Sequence, residues 1–347
     1  MNRGGAALYE VDFFAVGNAG RHGDANAIRF TRPDSGAYAH VVIDAGFEQN
    51  GEQFVEQITQ YYDTSAIDLA IITHPDGDHI GGMGHVIRDL DVGELWIHRL
   101  SNHGGGSLPA AEAVDDLIAV AEDKGTAVRE PFTGLRAFGD ALTILGPDET
   151  WYDELVREQL VEAEERTRRP TRAGGVLEAA RLRAQQFLAR LPVEVSFDDA
   201  GGTNPRNDSS AITLLDVDGR RLLFSSDAGV PALDRAWDWL EENGGDTSPP
   251  TFVQLPHHGS RHNASSGLLD RLFGPTGQEQ TRTAFVNVAP EAVKHPSPRV
   301  ANAFMRRGYK VHQTRGDNKC HSHDAPSRPN WGPSTPLDPL DESLEDE

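Results

Sequence analysis

Cysteine is almost absent: Cys320 is the one thiol in 347 residues. Neither a disulfide framework nor a zinc site built from several thiolates is therefore available. Lysine is scarce too, with only Lys124, Lys294, Lys310 and Lys319, so the positive charge is nearly all arginine. That charge is outnumbered, 32 Lys+Arg against 54 Asp+Glu, for a formal net charge of −22. Proteins that grip duplex nucleic acid through its phosphates carry a basic face, and a broad hold of that kind is disfavoured here. A local site for one phosphate is not excluded, because two divalent cations would supply their own positive charge. No apolar run approaches the roughly 20 residues that a membrane-spanning helix needs. The opening MNRGGAALYEVDFF lacks the apolar stretch of a secretory signal. A cytoplasmic protein with no membrane association is the expectation.

What is present has the balance of a folded chain. At 37% hydrophobic and 25% charged it lies far from the compositions that stay disordered. Strand-like runs fall at Val11–Val16, Ala27–Phe30, His40–Ile43, Asp68–Thr73, Glu94–His98 and Ala141–Leu145. The run Asp68–Thr73 is short and continuously apolar, as in a strand buried on both faces. Helical spacing appears over Gly51–Tyr62, His79–Leu90 and Ala110–Lys124. Residues 149–192 shift to Glu, Arg, Ala, Leu and Gln. They read as an inserted pair of helices, broken near Arg169-Pro170 and Gly174-Gly175. Either a solvated face or a lid or partner site fits that composition. Strands resume at Ala211–Val217, Arg221–Ser225, Thr251–Leu255, Thr283–Val288 and Lys310–Gln313, with a helix at Arg299–Arg307. The two halves share a plan, which predicts one layered α/β sandwich over residues 1–320 rather than independent domains. Residues 321–347, rich in Pro, Ser, Asp and Glu, read as a disordered acidic tail.

Chemistry concentrates at strand ends. His74-Pro-Asp76-Gly-Asp78-His79 places four metal-ligand types within six residues, directly after the buried strand. Gly77 lets that loop turn, and Gly81-Gly82 let the next helix pack closely. Histidine and carboxylate ligands suit Zn, Mn or Fe. Asp227 follows the apolar run Leu222–Ser225, and His257-His258 follow another. Alone, Asp227 reads as a turn or helix cap and the histidine pair as a hydrogen-bonded loop. Together with the first cluster they lie where α/β folds gather their sites. Gly23-Asp-Ala25 and the scattered glycines are too weak to argue a loop that cradles a nucleotide.

The stretch THPDGDHIGG resembles the ligand motif of the metallo-β-lactamase fold, with Asp76 where a second histidine usually stands. The variant is similar to the soluble hydrolase domain of the ComEC-type competence protein and its free-standing relatives. Asn207-Asp-Ser-Ser210, LLFSSDAG at 222–229, LPHHGS at 255–260, His295-Pro-Ser-Pro298 and the segment 309–315 match in order, so the likeness covers about 10–147 and 200–318. It implies a four-layer αββα sandwich with a helical insertion. It also implies a dinuclear centre of two divalent metal ions, Zn or Mn, that activates water. His74 and Asp76 would hold one ion, and Asp78, His79 and His258 the other, with Asp227 bridging. Asp78, His257 and His295 would be the catalytic residues, although His295 reads equally well as a loop histidine. Asp44 would orient the ligand loop. The family's further histidine before the bridging Asp is missing, and Asn207, Asp208 or water would fill its place.

The expected activity is that of a phosphodiesterase or nuclease acting on nucleic acid or nucleotides. The charge points to a short or single-stranded substrate held mainly at the metals. Hydrolysis of a small ester, lactone or lactam is the alternative, and a non-catalytic binding module on the same fold is another.

Overall fold

The computed structural model describes residues 8–168 and 202–343. The first half runs β1 (Tyr9–Phe13), β2 (Ala25–Thr31), β3 (Tyr38–Ala45), α1 (Gly51–Tyr62), β4 (Ala66–Ile71), α2 (Gly77–Ile80), α3 (Met83–Asp89), β5 (Asp91–Trp96), α4 (Ala111–Asp123) and β6 (Ala127–Arg129). The second runs β7 (Arg136–Ala137), β8 (Leu142–Gly146), α5 (Glu149–Arg168), α6 (Pro205–Asp208), β9 (Ile212–Val217), β10 (Arg220–Phe224), α7 (Val230–Glu242), β11 (Phe252–Gln254), α8 (Ser266–Phe273), β12 (Gln278–Val286), α9 (Pro298–Arg306), β13 (Arg307–Gln313) and β14 (Lys319–His323).

Two seven-stranded sheets result, ordered β14-β1-β2-β3-β4-β5-β6 and β13-β12-β11-β10-β9-β8-β7. In each, the early strands pair antiparallel and the later ones, β3 to β6 and β10 to β13, pair parallel. Alternation along the strands builds the layers. Val41 and Ile43 of β3 face the opposite sheet, while Val42 faces the helices. Likewise Leu222 and Phe224 of β10 point between the sheets and Leu223 points outward to α7 and α8. Phe13, Phe252 and Phe285 interlock edge to face across the middle, with centroids 5.3 to 5.8 Å apart. Each such buried side chain stabilises by about 1.5–3 kcal/mol relative to exposure. The expected four-layer αββα sandwich is the observed architecture.

Some boundaries differ from expectation. The single helix expected over His79–Leu90 is two, α2 and α3, because the chain bends at Gly81-Gly82. A side chain on Gly82 would collide with the Ala45 carbonyl, so close packing on the end of β3 dictates the glycines. The first inserted helix is α5, with Glu154, Glu158, Glu164 and Glu165 on an exposed face and an apolar face turned inward. Tyr152, Leu155 and Val156 are buried. Its expected partner falls on residues outside the described ones. The disorder expected over 321–347 is not what residues 321–343 display. Residues 321–323 complete β14 against β1. Leu337 and Leu340 pack on the second core, Leu337 N donates to the Val311 carbonyl at 2.7 Å, and the Asn302 side chain donates to the Leu340 carbonyl and accepts from Leu340 N. Leu337, Leu340 and the Asn302 amide thus help to hold an otherwise acidic stretch of chain.

Candidate metal centre

The parallel strands of both sheets end along one edge of the sandwich, and the sequence motifs meet there. Asp44, the penultimate residue of β3, takes a left-handed backbone (φ 58°) that turns its carboxylate under the next loop. Its Oδ1 accepts from Thr73 N at 2.9 Å, and its Oδ2 accepts from Thr73 Oγ1 at 2.7 Å and His79 Nδ1 at 2.8 Å. Thr73 Oγ1 also lies 2.7 Å from Ser226 Oγ, tying the two halves together beneath the site. The role expected of Asp44, orienting the ligand loop, corresponds to these bonds.

Each central histidine has Nδ1 engaged with the protein. His79 donates to Asp44, and His258 Nδ1 donates to the Asn287 carbonyl at 3.0 Å. His74 Nδ1 sits 3.2 Å from Thr73 Oγ1 and 3.3 Å from Ser210 Oγ. That leaves the Nε2 lone pairs facing inward. His74 Nε2 lies 3.7 Å from Asp76 Oδ2 and 3.8 Å from Asp227 Oδ2, and His79 Nε2 lies 3.7 Å from Asp227 Oδ1. His74 Nε2, His79 Nε2 and Asp227 Oδ1 are all buried without a hydrogen bond. Buried polar atoms are almost always paired. Orphaned lone pairs converging from histidine and carboxylate are the donor set of a divalent cation, so the residues fit one.

The buried group that converges most tightly holds a residue that sequence reasoning passed over. Asp24, His79, Asp227 and His258 each place a ligand atom within 4.8 Å of the others. Asp24 is oriented by Asn287 Nδ2 at 2.7 Å and Gln254 Nε2 at 2.9 Å. Its signal, a Gly-Asp pair just before a strand, is visible in the sequence but points nowhere until the sheet places it. Asp78 stands outside this group. It is half-buried in the first turn of α2, and its carbonyl accepts from Asp24 N at 3.0 Å.

The electrostatics follow from burying many charges together. Burial pushes the Asp24 carboxyl up to about 7, against the pull of His79. Burial also opposes ionisation of Asp227, but His79, His257, His258 and His74 outweigh it and hold that carboxyl well below the usual range. His79 is raised, because Asp227 and Asp44 outweigh the burial that would lower it. His258, enclosed and beside other histidines, is lowered.

Around this core lie the remaining predicted residues. Asp76 pairs with Arg206 Nε at 2.7 Å. His257 is partly exposed, with Nδ1 3.0 Å from Asn263 Oδ1 and Nε2 3.5 Å from Asp227 Oδ2. The Asn263 amide donates to the Asp227 carbonyl at 2.8 Å, which fixes its oxygen toward His257. His257 Nδ1 is then the donor and Nε2 faces the centre. The ring of His295 lies 4.6 Å from that of His22, and burial lowers His295 to about 4. Asn207 and Asp208, expected to fill the place of the missing histidine, both have partners within the protein. Asp208 accepts from Gly229 N at 3.0 Å, and the Asn207 amide lies 3.3 Å from His257 Nδ1.

Residues 36–170 match the Metallo-beta-lactamase superfamily. The αββα sandwich around this centre is the metallo-β-lactamase fold. Solved structures resemble it remotely. A metallo-β-lactamase-type protein from Thermotoga maritima is 10% identical, covering 68% of this chain and 92% of its own, with a TM-score of 0.35. A diphosphatase of the PhnP family is 10% identical over 91% of this chain and 98% of its own, at 0.41. The β-hydroxylase CmlA is 12% identical over 92% of this chain and 54% of its own, also at 0.41. No curated protein matches the chain. Among the described residues no helix is long and apolar enough to cross a membrane.

Proposed function

We propose that this metallo-β-lactamase-fold protein is a metal-dependent phosphodiesterase acting on nucleic acid or nucleotides. The observation that carries the reading is the set of orphaned inward atoms, His74 Nε2, His79 Nε2 and Asp227 Oδ1, buried around one carboxylate. Asp24, His79, His258 and Asp227 would hold one divalent cation. His74, Asp76 and Asp227 would hold the other, with Asp78 closing on the pair from α2. The carboxylate-rich second position favours a harder ion such as Mn, while the histidines keep Zn in play. Such cations, when bound, lower the pKa of water and offset charge on both oxygens of an in-line displacement. The chain's own residues fix that geometry. Asp44 and the Asn287 carbonyl lock the His79 and His258 rings. His257 Nε2, open toward the centre, holds or delivers a proton there. Arg206 brings a guanidinium to the rim, which suits an anionic substrate better than a neutral lactam or lactone.

The test loads the protein with Mn or Zn. Single-stranded DNA, duplex DNA, RNA, bis-nitrophenyl phosphate, nitrocefin and a lactone are then offered, with Asp227→Ala as control. Phosphodiester cleavage that disappears in the control is the expected result. Turnover confined to nitrocefin or the lactone overturns the reading in favour of a small-ester hydrolase. Metal bound with no turnover at all overturns it in favour of a binding module.

A further inference from the structure

His22 lies in the loop between β1 and β2, and its ring is held on both sides by histidines of the centre. It stacks on His258 at 4.9 Å with 23° between planes, and meets His295 at 4.6 Å and 59°. The backbone fixes it further. Ala289 N donates to His22 Nδ1 at 3.1 Å, so Nδ1 carries no proton and the hydrogen sits on Nε2. The loop itself is braced, with Asn18 and Arg21 bonded to each other and Glu291 N donating to the Ala19 carbonyl at 3.0 Å. A side chain on Gly17 would strike Ala289 at 2.7 Å, so the loop is pressed onto the very segment that bonds His22. The opposite segment is braced as well. Arg315 donates to the Ala292 and His295 carbonyls at 2.9 and 3.0 Å.

Such bracing is more than packing requires, because a phenylalanine would stack equally well. One nitrogen is spent on fixing the ring. The other, Nε2, donates to no described residue, although the ring is only half-buried and one stacking distance from a proposed metal ligand. A preorganised, unspent N–H beside a site for anions is an arrangement for binding one. We propose that His22 is a substrate-contacting residue, whose Nε2–H donates to a phosphoryl oxygen at the metal centre. The inference rests on the phosphodiesterase reading and adds a contact that the sequence motifs do not contain. A hydrogen bond to a charged oxygen corresponds to about tenfold to a hundredfold in affinity.

The test compares the metal-loaded wild type with His22→Phe, which keeps the stacked ring, and His22→Gln, which restores an N–H. Inorganic phosphate binding by calorimetry, KM and kcat for bis-nitrophenyl phosphate, and metal content by elemental analysis are measured for each. His22→Phe should weaken phosphate binding and raise KM about tenfold or more, with metal content unchanged, and His22→Gln should recover part of both. Equal phosphate binding by wild type and His22→Phe overturns the proposal, as does binding by neither. So does a loss that tracks loss of metal, because His22 would then merely support His258. If the wild type binds phosphate through His22 yet cleaves no phosphodiester, the proposed function fails and the contact stands. If it cleaves and His22→Phe is unaffected, only the contact fails.

Discussion

His98 is fully enclosed, stacked 4.2 Å from Tyr152 and 4.7 Å from Phe132, and neither of its ring nitrogens is hydrogen-bonded. Burial pushes it down from 6.5 to about 3, with His103 adding to the effect. The folded protein thus refuses a proton that the unfolded chain accepts. Stability contributed by neutral His98 is complete above pH 6.5 and drains away as the pH falls toward 3, by up to ~1.4 kcal/mol per pH unit. His98→Phe should flatten the fall in Tm between pH 6.5 and 4, whatever offset the change imposes at neutral pH. An unchanged slope would place the acid sensitivity elsewhere, for instance at His312 and His321, which burial also lowers to about 4. At the candidate metal centre His79 behaves oppositely, since Asp227 and Asp44 raise it. A sequence shows which residues are histidines but not how deep they lie or what carboxylate they face. For that reason the contiguous cluster at 74–79 was legible, whereas Asp24 and His22 were not. Their partners Asn287 and Ala289 stand at the far end of the chain, and only the meeting of the two sheets supplies them.

The terminal strap poses the same problem for a whole element. Arg328 Nη1 and Nη2 reach Asp12 Oδ1 and Oδ2 at 2.6 and 2.8 Å, and Nη2 lies 3.1 Å from Glu10 Oε1. Its guanidinium also lies over Tyr61, Tyr62 and Trp331, 5.0 to 5.5 Å from their centroids. Glu10 retains Arg29, but Asp12 is fully buried, and its other side-chain partners, the Tyr62 hydroxyl donating at 2.7 Å and the Cys320 thiol, carry no positive charge. Removing one partner of a buried pair costs about 3–5 kcal/mol, because the other charge is left uncompensated. Arg328→Met should therefore lose about 3 kcal/mol in urea unfolding, and Arg328→Met combined with Asp12→Asn should recover part of it. A loss below about 1 kcal/mol would return the segment to the dispensable tail that its composition suggests. Acidic, proline-rich composition describes the average of the segment. Its order depends on three residues, Arg328, Leu337 and Leu340, whose partners lie on β1, β13 and α9. Eleven strands and the helices α1 and α4 were legible because period and burial coincide within each of them, whereas the short β6 and β7 and the terminal β14 were not. The break between α2 and α3 was not, since it answers to Ala45 on another strand.

For the whole molecule, the charge of −22 and the proposed phosphodiester chemistry agree only if the two act at different places. Much of the negative charge is exposed on α4, α5 and α7, whereas Asp24, Asp44 and Asp227 are buried at the centre, where cations would offset them. The two sheets repeat one plan, antiparallel then parallel, and Thr73 and Ser226, just past β4 and β10, are joined at 2.7 Å beneath the site. Under the proposed function, a substrate would be drawn to a point rather than along a groove. Counterion release makes this measurable. For a single strand, the logarithm of affinity falls with that of salt at about 0.7 per phosphate neutralised. With a grip confined to the metals, His22, His257 and Arg206, only about two or three phosphates are engaged. Measured between 50 and 200 mM salt on an oligonucleotide, the slope should be about −2 or shallower. Lengthening the strand beyond a few nucleotides should leave KM unchanged. A slope near −5, growing with strand length, would reveal a basic track and overturn the point-like grip. Insensitivity to length would instead explain how so acidic a protein can handle so acidic a substrate.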